Sequence, residues 1–283
     1  MASDSHDVIP PDGERERRTD PVRNGRRLAW YFGGLLVVYV AATVAFWPSG
    51  GADPNPLIFV VVMVAPTVGA LLARYLGPGV IQWGRLSWWT LAGLIPAAAV
   101  LGVYLLGSLL GWDADASGVF PDALTTAGVS ILGASLLALG EEIGWRGFLW
   151  PLLRRRQSYL WTSLLIGVIW WLYHVPFVIF GWYGSVGGLP AFTVSLAGFT
   201  LFVGAVTDRS KSVWPSVVAH GAWNALVATS IAASESGALT PESVESTSLT
   251  GEFGWIPAMT MLIVGVGTAW WHLRWLSVRR EAG

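Results

Sequence analysis

The sequence predicts an all-α fold: a polytopic membrane protein built as a bundle of eight transmembrane helices. Three observations predict it. The 283 residues are 53% hydrophobic and only 12% charged, where a soluble domain carries roughly 25% charged residues. Apolar runs, each near the ~20 residues that a span requires, recur eight times between Gly, Pro and charged breaks. Basic residues fall on alternate connections, as a chain weaving through a bilayer requires.

Taken in order, residues 1–27 hold no apolar run but six arginines (Arg15, Arg17, Arg18, Arg23, Arg26, Arg27) and six acids. They read as a disordered cytoplasmic tail. The first run, 28–47, is long for the apolar part of a signal peptide. No small-x-small cleavage pattern follows before Pro48, so it reads as a retained span. The other runs lie at 57–76, 88–111, 123–150, 159–180, 190–207, 213–233 and 255–275. The membrane domain is therefore expected over 28–275, with 276–283 as a cytoplasmic C-terminal tail. Pro66, Pro96 and Pro257 are expected to bend their helices.

Charge placement tests the count independently. The connections 48–56, 112–122, 181–189 and 234–254 contain no Lys or Arg. All 17 basic residues lie in the tail, at Arg74 and Arg85, at Arg146 and Arg154–Arg156, at Arg209 and Lys211, or at Arg274, Arg279 and Arg280. The positive-inside rule then puts both termini in the cytoplasm of a multi-pass protein of the cell membrane. Eighteen tryptophans suit a bilayer protein, since indole favours the headgroup region. A net charge of −1 argues against a nucleic-acid partner. Cysteine is absent, which excludes disulfides, a thiolate metal site and a thiol nucleophile.

Three motifs interrupt the apolar runs: Glu141-Glu142-x-x-x-Arg146, Trp170-x-x-x-His174 and His220-x-x-x-Asn224. Ionisable groups at such places are costly and mark function by default. Glu141 stands about 20 Å along its helix from Arg154, His174 about 22 Å from Tyr159, and Asn224 about 20 Å from Lys211. The three helices thus carry their polar groups to a similar depth. Glu142 and Arg146 are spaced i,i+4 in the favourable order for an ion pair. Glu141, turned about 100° away, is left to face a cavity as a general base. His220 and Asn224, also i,i+4, share one helix face and can address one bound group. The same donors permit another chemistry, because Glu141, His174 and His220 could ligate zinc. Plainer readings exist for each: a cytoplasmic helix end for Glu141 and Glu142, an interhelical hydrogen bond for His174. His6 and His272 are assigned no role.

In this order on separate spans, the motifs resemble those of the CPBP family (also called Abi), the intramembrane proteases that include the type II CAAX prenyl endopeptidases. That family shows EExxxR, FxxxH and HxxxN or HxxxD on an eight-helix bundle; here Trp170 stands where Phe is usual. The resemblance covers about 123–233. It implies an intramembrane endopeptidase in which Glu141 and His174 activate a water and His220 and Asn224 form the oxyanion hole. Glu142 and Arg146 would hold the first motif. The implied partners are a peptide or prenylated peptide and the lipid bilayer, with either no cofactor or zinc. Three alternatives stay open: a zinc-dependent version of the protease, a non-catalytic scaffold or immunity/regulatory protein of the same fold, and a transporter using the cluster as a proton relay.

Overall fold

Each of the eight apolar runs is helical in the computed structural model, which describes residues 21–47, 55, 57–109, 116–235 and 251–281. The helices are α1 (Pro21–Ala45), α2 (Leu57–Leu72), α3 (Leu86–Leu109), α4 (Ala116–Glu142), α5 (Tyr159–Ile179), α6 (Leu189–Ser210), α7 (Trp214–Glu235) and α8 (Trp255–Glu281). Past Glu142 the chain does not stop. It widens into a π-helical stretch, Ile143–Leu149, and closes with one α-helical turn, Trp150–Leu153. No strand occurs among the described residues.

Among the described residues, four helical segments are long and apolar enough to cross a membrane: Val22–Ala45, Tyr159–Ile179, Val186–Ser210 and Trp255–Glu281. Two shorter apolar ones are Leu57–Leu72 and Leu86–Ala99. The other two helices, α4 and α7, carry the carboxylates and the His–Asn pair. Side-chain distribution is inverted relative to a water-soluble protein. Val37, Leu94, Leu136, Leu172 and Ile263 point outward, whereas Glu141, Glu142, Arg146, His220 and His272 are buried. Apolar surface outside and charge inside is the pattern that lipid imposes.

Helix ends differ from the hydropathy pattern for local reasons. Of the expected tail, 1–20 lie outside the described residues, but 21–27 belong to α1. Pro21, with its fixed φ and no N–H to lose, suits a first helical position. Arg27, one turn further on, stacks over Tyr75 at 4.4 Å. At the other end α8 continues to Glu281, past the apolar run. Pro66 and Pro96 lie inside α2 and α3. Pro257 lies in the first turn of α8, where a missing N–H is harmless, so it starts that helix rather than bending it.

The packing sets α4 between α2 and α7, with α5 beside α6, α6 against α8, and α3 against α7. Two glycines let α4 approach its neighbours. A Cβ on Gly144 would stand 2.6 Å from the carbonyl carbon of Pro66 in α2, and one on Gly221 in α7 would stand 2.6 Å from the Cα of Ser135 in α4. These crossings flank Glu141 and Glu142, and small residues are what such close approaches need. Polar ties reinforce them. Thr67 Oγ1 donates to the Gly140 carbonyl (2.5 Å), and Tyr173 Oη donates to the Val62 carbonyl (2.5 Å), joining α2 to α4 and to α5.

The packing predicts that Gly144→Ala lowers the thermal midpoint in detergent, with overpacking costing about 1–3 kcal/mol. Gly133→Ala, whose Cβ meets nothing within 4 Å, should leave it unchanged. Equal midpoints for both variants would contradict the tight α2–α4 crossing.

Candidate active site

The widening of α4 into a π-helix begins immediately after the two carboxylates. Such turns are rare and frequently mark functional positions. Here the stretch is Gly-rich, and its Gly147 carbonyl accepts a hydrogen bond from Gly77 N (2.6 Å) in the α2–α3 connection. The chain entering α3 is thereby tied to the segment carrying Arg146.

Glu142 and Arg146 form an ion pair at 2.9 Å with both side chains fully buried. The same carboxylate oxygen, Oε1, lies 3.1 Å from His220 Nδ1 on α7. A carboxylate facing a guanidinium only accepts, so the ring nitrogen donates. His220 therefore keeps Nε2 free for the cavity. The guanidinium of Arg146 lies over the ring of Trp170 at 4.6 Å, a desolvated cation–π contact.

Trp170 connects all three motifs. Its Nε1 donates to Glu141 Oε2 at 2.7 Å, and its ring meets His220 edge-on with centroids 5.1 Å apart. A second indole, Trp145, donates to the same Glu141 oxygen at 3.1 Å. Two N–H donors on Oε2 fix the carboxylate and leave its other oxygen, Oε1, for a ligand. One turn beyond Trp170, His174 donates from Nδ1 to the Trp170 carbonyl (2.7 Å). A carbonyl oxygen can only accept, so Nδ1 carries a hydrogen and Nε2 is left for another partner.

Glu141, His174, His220 and Asn224 line one cavity of about 400 Å³, walled mainly by aromatic side chains including Phe59, Phe177, Phe199 and Trp223. Glu142 and Arg146 lie behind it and do not line it. Glu141 and His174 share the cavity without a direct hydrogen bond. Two residues far from the motifs complete the rim: Tyr183 in the α5–α6 connection donates a short hydrogen bond to Glu252, just before α8. Burial and the adjacent Glu252 carboxylate push the Tyr183 hydroxyl well above the usual phenol range, so it stays a proton donor.

Among the described residues, no three His, Asp or Glu side chains are grouped so that they could hold a metal ion together. Glu141, His174 and His220 line the cavity but are not grouped as a ligand set. His272 lies elsewhere. Fully buried, it contacts Asp208 Oδ2 through Nε2 (3.2 Å), and Asp208 also accepts from Trp150 (2.9 Å) and Arg154 (2.8 Å). That node ties the end of the π segment to α6 and α8.

Sequence reasoning passed over Trp145, Trp170 as a donor, Tyr183 and Glu252. A signal existed for the tryptophans, because an indole N–H inside an apolar span needs a partner. None existed for Tyr183 and Glu252, which lie 69 positions apart.

Residues 123–226 match the family described as type II CAAX prenyl endopeptidase, Rce1-like. All three motifs fall inside the matched segment, which agrees with the resemblance to CPBP proteases. The match implies a peptide-bond hydrolase embedded in a membrane. No curated protein matches the chain.

The buried pair should be intolerant of half-removal. Arg146→Ala leaves Glu142 an uncompensated charge and should cost about 3–5 kcal/mol. Chemical unfolding in mixed micelles measures it; a loss below about 1 kcal/mol, as for a surface pair, would contradict the assignment.

Proposed function

We propose that the protein is an eight-span intramembrane endopeptidase of the CAAX-protease type, acting on a membrane-associated peptide through a glutamate-activated water. Both termini lie in the cytoplasm. One observation carries the reading above all: Glu141, His174, His220 and Asn224, from three different helices, line a single cavity inside the bundle.

Water binds between Glu141 Oε1 and His174 Nε2, each accepting one of its hydrogens. Glu141 takes a proton as the water oxygen attacks the scissile carbonyl carbon. The carbonyl oxygen becomes an oxyanion, met by the Asn224 amide N–H and by His220 Nε2–H. To donate from Nε2 while Nδ1 donates to Glu142, His220 acts as the imidazolium, with Glu142 as its counter-ion. Collapse of the tetrahedral intermediate breaks the C–N bond, and the proton held by Glu141 passes to the leaving amine. Glu141 returns to carboxylate and both peptide fragments leave. The two indoles orient Glu141 throughout, and the buried Glu142–Arg146 pair holds His220.

Glu141→Gln, His174→Ala and His220→Ala should each abolish cleavage of a membrane-associated peptide while the variants melt as folded proteins. A purified, metal-independent activity surviving in Glu141→Gln would sink the proposal. Trp170→Phe keeps the aromatic ring but removes one donor from Glu141. It should lower kcat by about tenfold, the cost of roughly 1.4 kcal/mol in the transition state, and leave KM near the wild-type value. A change confined to KM would show that Trp170 contacts substrate instead.

A further inference from the structure

The cavity is confined to one half of the bundle. Its walls come from Phe59 at the start of α2, Phe177 at the end of α5, Tyr183 in the α5–α6 connection, Phe192 in the first turns of α6 and Glu252 just before α8. The same end is pinned by Trp47, whose ring lies 4.9 Å from Trp182, and by Phe253, stacked on Phe192 at 4.9 Å. The sequence segments 48–56, 181–189 and 234–254, which in chain order join the helices ending here, contain no Lys or Arg.

The opposite end gathers the cations. Arg27 and Arg155 both lie over Tyr75, at 4.4 and 5.2 Å. Arg154 pairs with Asp208 at 2.8 Å, and Arg209 lies over Trp271 and Trp275 at 3.8 and 4.5 Å. Between that end and Glu141 the bundle is filled. Trp145, Arg146, Phe148, Leu149 and Trp150 are all buried and form a floor under the carboxylates.

We infer that the site opens on the face without basic residues, which the positive-inside rule makes the non-cytoplasmic face. If the endopeptidase reading holds, its substrate is a peptide presented from outside, an exported chain or the outer end of a membrane-anchored one. It is not a C-terminus held at the cytoplasmic surface. Arg146 is held in the ion pair behind the cavity, and among the described residues no Lys or Arg lines the cavity, whereas Glu141 and Glu252 do. The rim therefore suits a neutral or cationic segment, with large apolar side chains meeting the aromatic wall.

The chain contains no cysteine, so single cysteines report access without further engineering. The full-length protein is expressed in a bacterial host, from which right-side-out spheroplasts and inverted vesicles are made. The probe is a cationic, membrane-impermeant methanethiosulfonate. Gly187→Cys stands in the α5–α6 connection and Gly25→Cys at the basic end, where an added Cβ meets nothing within 4 Å in either case. Ser195→Cys sits in the cavity wall, and Leu196→Cys is a second reporter of that wall should the first fold poorly. The inference predicts labelling of Gly187→Cys and of the cavity reporter in spheroplasts, with loss of label in inverted vesicles, and the reverse for Gly25→Cys. Labelling of the cavity reporter from the Gly25 side would overturn it. Silence from both sides would also overturn it, since the cavity would then open only into lipid. Labelling needs no turnover, so this result and the failure of the Glu141 variants to lose cleavage are separate outcomes.

Discussion

A carboxylate and a guanidinium fully removed from solvent cost several kcal/mol each before they attract one another. Glu142 and Arg146 bear that cost at 2.9 Å, and the surroundings offset it in part: among the described residues, Glu142 Oε2 and Arg146 Nε and Nη2 have no hydrogen-bond partner. Arg146 spreads its charge over the Trp170 ring, and Glu142 accepts from His220 as well as from Arg146. Each compensating group sits on a different helix. Holding one buried pair against these groups therefore fixes the rotation of α4, α5 and α7 about their own axes, and with it the direction of Glu141, His174 and Asn224.

The remainder of the bundle serves that alignment. Gly144 and Gly221 let α2 and α7 approach α4 closely on either side of the carboxylates. The π-helical stretch shifts the register of the chain after Glu142, and its carbonyl at Gly147 is taken by Gly77 rather than left unpaired. At the far end Asp208 collects Trp150, Arg154 and His272, holding the base of α4 against α6 and α8. Polar groups in this molecule lie where helices must not rotate, while apolar side chains cover the outside.

Much of this was legible in the sequence. Eight apolar runs correspond to eight helices, and the i,i+4 spacings place Arg146 on Glu142 and Asn224 one turn past His220. Depth along each helix also brought the three motifs to one level. Helix boundaries were less legible where charge and helix propensity work together, as at Pro21 and Glu281, because hydropathy marks the lipid-facing stretch and not the end of the hydrogen-bonded helix. The π-helical stretch left no trace in periodicity. The aromatic departure at Trp170 looked like a substitution of shape; its indole N–H proved to be the contact with Glu141. Zinc on Glu141, His174 and His220 was one reading left open by donor type, and among the described residues these three side chains are not grouped as a ligand set.

Water activation by a carboxylate held between two indoles is the central claim, and chelation tests it most directly. The purified protein would be stripped of divalent metal, its residual content measured by mass spectrometry, and its peptide cleavage rate compared with that of the untreated protein. The account predicts an unchanged rate. A rate lost with the metal and restored by zinc would contradict it, and would require Glu141, His174 and His220 to regroup around an ion.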